Sequence, residues 1–272
     1  MLHTQPGFVT IAEINPPELP NNHHRDLAAG WDHVLVTDNV FGKIRMSPYA
    51  HAARLTHDTP TVSPTVVVST RDRNILAIES EVRGAIGNGV GSFLVVVGDT
   101  APHVDHLAHH YEIVEHLTGL QHQLGPFEVG IPTRFAAWQF RRRVDLGAQF
   151  LVAGPVMDPA TIEESLAKLE RQAGDPPVFV MLVPPFSTRW VDKAERFGSV
   201  PATDQLKAKV ASLNGDTRGF AWDQAHQVAT AALDAGCAGV ILTGVKHDTA
   251  ISEGAHWAQK VHIAANTRGV RA

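Results

Sequence analysis

Glu13 has the strongest claim to chemistry in this chain. It lies inside the apolar stretch Phe8–Ile14, where an unpaired, ionised carboxylate is costly. A carboxyl held in partly apolar surroundings keeps its proton to higher pH and can act as a general acid. The alternative is a structural ion pair with an arginine such as Arg71 or Arg73. Asp99 follows Gly98 at the end of a second apolar run, Ser92–Asp99. There it either takes part in chemistry or caps the helix that follows. Thr37, Asp38 and Asn39 end a third run, Arg71 and Asp72 a fourth, and Lys246 closes the last.

The 16 histidines raise a metal hypothesis, densest at His103, His106, His109, His110, His116 and His122. His106 and His110 stand four apart and would share a helix face. No HExxH pattern accompanies them and no third ligand is evident, so no metal site is assigned. Gly87-Asn88-Gly89-Val90-Gly91 precedes a strand where a phosphate loop would follow one, and reads as a helix stop. No Walker A loop, Gly-x-Ser-x-Gly elbow or paired-cysteine site occurs. Arg141-Arg142-Arg143 reads as a solvated helix face or an ion-pair set.

The elements that must position these groups alternate along the chain. Eight apolar runs are expected as strands: Phe8–Ile14, Asp32–Asn39, Thr65–Arg71, Ser92–Asp99, Phe127–Pro132, Gln149–Met157, Val178–Phe186 and Gly239–Lys246. Near-continuous apolar runs are the mark of parallel strands buried on both faces. Helical patterns fall between them: Asn22–Ala29, Ser47–His57, Asn74–Asn88, Val104–Leu124, Phe135–Leu146, Pro159–Gln172, Thr203–Leu213, Trp222–Ala235 and Ser252–Asn266. Eight strand–helix units in one domain spanning 1–272 predict an α/β fold, a (β/α)8 TIM barrel. An open doubly wound sheet would want a glycine-rich loop after the first strand, where Pro16 and Pro17 stand. In a barrel, chemistry gathers at the C-terminal ends of the strands, where Glu13, Asp99 and their companions fall.

Composition limits the partners. The chain has 272 residues, 28 acidic against 23 Lys plus Arg, for a net charge of −5. That balance offers no footprint for nucleic acid or an anionic membrane. At 44% hydrophobic and 19% charged the composition is that of a globular domain. Apolar runs are too short to span a bilayer, and no signal-peptide pattern opens the sequence. The single cysteine, Cys237, cannot form an intrachain disulfide. A cytoplasmic protein, monomeric or a small homo-oligomer, is the expectation.

Several of these segments carry a resemblance. Ile11-Ala12-Glu13-Ile14-Asn15-Pro16-Pro17 resembles the first-strand motif of methylenetetrahydrofolate reductases, in which a glutamate precedes a Pro-Pro pair. Val36-Thr37-Asp38-Asn39 and Ser69-Thr70-Arg71-Asp72-Arg73-Asn74 are similar to the next two strand ends. Val97-Gly98-Asp99-Thr100-Ala101-Pro102 resembles the Gly-Asp-x-Pro region, with one extra residue before the proline. Arg143-Val144-Asp145-Leu146-Gly147-Ala148 is similar to a Lys-Val-x-Ala-Gly-Ala stretch, and Ala235–Val240 suits the closing unit. The matches run in order over most of the chain.

The departures are as informative. Pro132 is followed by Thr133-Arg134-Phe135 where flavin-binding members continue with Pro-Glu-x-His, and the segment to Arg143 is shorter. The ends of the sixth and eighth strands also differ from the family pattern. The chain therefore resembles the flavin-independent actinobacterial type, which implies NADH (or NADPH) as reductant with FAD absent. The resemblance implies 5,10-methylenetetrahydrofolate as substrate. Glu13 would then protonate N10 and Asp99 would stabilise the iminium or hold the pterin. Thr37, Asn39, Arg71 and Asp72 would orient pterin or nicotinamide, Phe186 or Trp190 would stack on a ring, and Lys246 would take the glutamyl carboxylate. An FAD-dependent reductase, a metal-dependent barrel hydrolase and a non-catalytic folate-binding subunit stand as alternatives.

Overall fold

The computed structural model describes residues 1–19, 30–99, 109–195, 202–246 and 249–269. Eight parallel strands close into a barrel in chain order. They are β1 (Val9–Ile14), β2 (His33–Val36), β3 (Ser63–Ser69), β4 (Ser92–Val96), β5 (Glu128–Thr133), β6 (Phe150–Val156), β7 (Val178–Leu182) and β8 (Gly239–Leu242). Closure is made by β1 against β8, with Val9 opposite Gly239 and Ala12 opposite Leu242. The expected (β/α)8 barrel is the observed fold.

Helices cover the outside: α1 (Pro48–Asp58), α2 (Ile75–Gly87), α3 (His110–Leu124), α4 (Ala137–Asp145), α5 (Pro159–Ala167), α6 (Thr188–Glu195), α7 (Asp204–Ser212), α8 (Arg218–Asp234) and α9 (Ala255–Thr267). Side-chain caps fix several starts. Asn74 accepts from the Ala77 N–H at 2.9 Å and Thr203 from the Leu206 N–H at 3.1 Å, satisfying donors that the first turn leaves open. The expected helix Asn22–Ala29 and the start of Val104–Leu124 lie outside the described residues.

Several strands stop two to four residues before the apolar runs do. Past the ladder only single bonds continue, such as Thr37 N–H to the Ile14 carbonyl (2.9 Å) and Thr243 N–H to the Leu182 carbonyl (2.9 Å). The chains leave the ladder there for loops, and burial falls off unevenly: Val183 and Pro184 stay buried, whereas Gly244 and Lys246 are exposed. Helix α6 is a finding the sequence did not announce. It is only eight residues long and buries Val191 and Ala194, three apart on one face.

The period-2 alternation of each strand sorts side chains into two cores. Ala12, Ile14, Val34, Val36, Val66 and Val68 face the helices. Val9, Ile11, Leu35, Val67, Leu94, Phe150, Phe179 and Ile241 fill the barrel interior. Gly130 of β5 leaves the room that the Phe150 ring takes; a Cβ there would run into it. Leu2 closes the bottom of this inner core. It is held by Glu128, a fully buried carboxylate that accepts the Leu2 N–H, the His3 N–H at 2.9 Å and the His3 Nδ1 at 2.6 Å.

Glu128→Ala strips a charged acceptor from two main-chain donors in a buried place. A loss of about 1.5–3 kcal/mol is expected, read as a lower urea midpoint at unchanged slope. An unchanged midpoint would show that the floor of the barrel needs no such anchor.

Candidate active site

Parity carries the inner series of each strand up to the mouth of the barrel. Beyond Val9 and Ile11, the next inward residue of β1 is Glu13; beyond Leu35 comes Thr37, beyond Val67 Ser69, and beyond Ile241 Thr243. The apolar middle of the barrel thus ends in a polar tier at the C-terminal ends of the strands. Thr37, Ser69 and Thr243 are buried, and Glu13 is half-buried among them.

The Glu13 carboxyl takes hydrogen bonds from the Thr243 hydroxyl and the Gly244 N–H. Both partners are neutral. Burial raises its pKa and outweighs these bonds, which lower it, and the charge of Asp99 raises it further. The result is a carboxyl that holds its proton above the usual range. The structural alternative, an ion pair with Arg71 or Arg73, is not what the protein builds. Arg73 lies between Asp38 (3.0 Å) and Glu81 (3.2 Å), and its Nη1 donates to the Tyr49 hydroxyl at 3.2 Å. Arg71 donates from Nε to the Gly98 carbonyl at 3.3 Å.

Asp99 reaches across to the loop after β2, where its Oδ2 accepts the Phe41 N–H at 2.6 Å. Phe41 is in the left-handed region with φ +59°, a conformation that costs a bulky residue about 1–3 kcal/mol. The charge-assisted bond offsets that strain and ties the loops after β2 and β4 together. Residues that a capped helix would need immediately after Asp99 lie outside the described residues.

The remaining expected site residues divide. Thr37 donates to the Ile14 carbonyl and to Asn15 Oδ1 (2.8 Å), joining the ends of β1 and β2. Asn39, at φ +46°, accepts the Arg45 N–H at 2.9 Å and donates to Asp38 at 3.0 Å. Both side chains are committed to shaping the loops. Asp72 and Lys246 are exposed at the rim. Phe186 packs edge-on against Trp222 at 5.6 Å, and its carbonyl accepts the Thr217 hydroxyl.

The structure brings in Lys193, which the sequence left without a role, and places Trp190, expected with Phe186 as a ring-stacking candidate. Gly244, at φ +72°, lies directly against Trp190 of α6, whose ring a Cβ would strike. Lys193, one turn further, holds its Nζ 3.6 Å from the centre of the Phe41 ring. Thr243 and Gly244 fall in the last expected strand run, Gly239–Lys246, and Trp190 was marked as an aromatic; Lys193 was not marked, because the eight-residue helix that carries it was not among the expected ones.

The arginine run has three fates. Arg141 makes a two-pronged ion pair with Asp175 at 2.7 and 2.9 Å. Arg142 lies over the Tyr111 ring at 4.4 Å. Arg143 is buried, bound to the Pro132 and Gln139 carbonyls. His110 packs on the same tyrosine, and burial with the charges of His109, Arg143 and Arg142 pushes its pKa down to about 4. His116 bonds instead to Glu79 at 2.7 Å. Among the described residues no group of three His, Cys, Asp or Glu side chains is placed to hold a metal ion, and no helix is long and apolar enough to cross a membrane. His103 and His106 lie outside the described residues.

No family model and no curated protein matches this chain. Among solved structures it is similar to 2,3-dimethylmalate lyase, a member of the PEP mutase/isocitrate lyase superfamily. The TM-score is 0.55 at 14% identity, over 98% of this chain and 85% of that one. It is also similar to a chain of a cube-shaped designed protein cage, with a TM-score of 0.53 at 14% identity over 96% and 74%. At such identity the likeness is one of fold, and this fold carries many unrelated chemistries.

Since the folded pKa of Glu13 lies above its unfolded value, the folded chain binds that proton more tightly. Its contribution to stability therefore falls as pH rises from the ordinary carboxylate range through the raised pKa. Glu13→Gln should remove this slope, so that the variant gains on the unaltered protein between pH 4 and pH 8 (urea midpoints). Thr243→Val removes a bond that lowers the pKa and should move the Glu13 titration, followed by carbon NMR, to higher pH. A shift downward would remove Thr243 from the site.

Proposed function

We propose that this protein reduces 5,10-methylenetetrahydrofolate to 5-methyltetrahydrofolate with hydride taken directly from NADH or NADPH. The observation that carries the reading is a proton-holding carboxyl, Glu13, in a barrel mouth beside a second carboxyl, Asp99, with neutral donors in place of a cation. The order of sequence motifs supports the same reading.

The methylene bridge of the substrate must open to an N5 iminium ion before it accepts hydride. Protonation at N10 drives the opening, and Glu13 is built to bring that proton, directly or through one water. Asp99 favours the positive charge that then develops, and suits the guanidine-like edge of a pterin. NAD(P)H supplies the hydride, and the gain at that step comes from holding nicotinamide and pterin in register. Thr37 and Asn39 act through the loops they shape. Arg71 and Asp72 stand at the rim to orient a ring, and Phe186 offers an aromatic edge. The positive group around Tyr111 (Arg142 with its neighbours) suits the pyrophosphate of a dinucleotide.

Addition of 5,10-methylenetetrahydrofolate to colourless protein with NADH should oxidise the NADH without added flavin. Labelled hydride should appear in the product methyl group without exchange into solvent. Glu13→Gln should lower kcat by about 100-fold or more, the span of general acid catalysis, with folate binding largely kept. Turnover restored only by FAD would assign the flavin-dependent mechanism. Near-normal turnover of Glu13→Gln would remove Glu13, and silence under both conditions would sink the reaction.

A further inference from the structure

The mouth of the barrel has an electrostatic direction that the proposed reaction does not by itself require. Glu13 lies on the inward series of β1 with the charge of Asp99 near enough to bear on it, while the ammonium of Lys193 stands further out, over Phe41. Three observations fix that arrangement. Trp190 and Lys193 are three residues apart on α6 and share one face; Trp190 lies against Gly244, the residue whose N–H holds Glu13, so this face looks onto the mouth. The Lys193 Nζ is 3.6 Å from the centre of the Phe41 ring and 5.5 Å from that of Trp190. Phe41, in turn, is pinned by its N–H to Asp99 and leaves 40% of its surface exposed.

Among the described residues no carboxylate forms an ion pair with Lys193. Its charge rests on two aromatic faces, an arrangement that holds an ammonium in place without neutralising it. A cation held so, beside a site whose interior is acidic, favours a ligand with opposite polarity along its length. The reacting end would be proton-accepting or positive and would go inward; the far end would be anionic and would meet the lysine. Reduced methylene-bridged folate has that form, with N5 and N10 at one end and a glutamate beyond the benzoyl group.

We propose that Lys193 binds the glutamyl carboxylate of the folate and is thereby a specificity-determining residue of this barrel. The proposal rests on the reading of the preceding subsection and adds to Lys246, exposed at the end of β8, a second and better-held cation for the tail. Phe41 then has two duties: its main chain fixes Asp99 and its ring fixes Lys193, so the reacting end and the tail are gauged from one residue.

The test compares two substrates, 5,10-methylenetetrahydrofolate and its analogue ending in the p-aminobenzamide, which has no glutamate. In the unaltered protein kcat/KM should favour the folate. In Lys193→Met that ratio should fall about tenfold, the value of one charge-assisted contact, and Lys193→Arg should retain most of it. An unchanged ratio in Lys193→Met, or a loss found only in Lys246→Met, overturns the proposal while leaving the reaction intact. A rise in the KM of NADH in place of that of folate also overturns it, assigning Lys193 to the dinucleotide. No turnover of either substrate by the unaltered protein removes the reaction, and this inference with it.

Discussion

A carboxyl group that points into a closed barrel has to be satisfied without a counter-ion, and the upper half of this protein is arranged around that constraint. Glu13 follows Val9 and Ile11 on the inward series of β1, so its direction is settled by the pleat. The chain could have answered with an arginine, which would have drawn the proton away. Instead Arg73 is drawn outward between Asp38, Glu81 and Tyr49. The last residues of β8 supply a hydroxyl and an amide. Three acids, Asp38 buried and Asp32 and Glu13 half-buried, show how far partners decide the outcome. Hydrogen bonds from His262 and Thr10, with the charge of His262, outweigh burial and lower the pKa of Asp32. Asp38 stays raised by burial although Arg73 opposes it. Glu13 has only neutral partners and a like charge nearby.

The same closure divides the molecule by depth. At the bottom, Glu128 is spent on main-chain amides and an imidazole, and Leu2 finishes the apolar interior above it. At the top, the inward positions turn from Val and Ile to Thr, Ser and Glu. A carboxylate at either end is thus put to a different use, anchoring below and proton-holding above. The strand alternation is the same at both ends; what differs is the loops that each end receives.

Much of this was legible in the sequence because the repeated unit is short. Eight apolar runs of strand length separated by helical patterns leave little choice besides a barrel, and Glu13 stood out as an acid in the first of them. What could not be read depends on closure. Thr243 and Gly244 become partners of Glu13 only when β8 pairs with β1, a contact between residues about 230 positions apart. Lys193 rides on α6, eight residues that were not read as a helix; Trp190 was visible as an aromatic, but its place against Gly244 was not. Thr37 and Asn39 were visible by position, but their commitment to neighbouring loops appears only once β1 and β2 lie side by side. Proximity on the chain was readable; proximity across the seam was not.

The seam between β1 and β8 also sets a timetable for the protein's birth. β1 leaves the ribosome about 230 residues ahead of β8. At roughly 5–20 residues per second the first strand waits on the order of ten seconds or more for one of its two neighbours. In that interval one edge of β1, with Val9, Ile11 and Ala12, has no β8 beside it, and an unpaired apolar edge invites pairing with other chains. The Glu13 carboxyl meanwhile lacks Thr243 and Gly244. An acid that the finished barrel buries is, on the unfinished one, a gatekeeping charge that opposes premature association. The carboxyl that closure buries in the mature molecule thus leaves a charge on the edge of the nascent one.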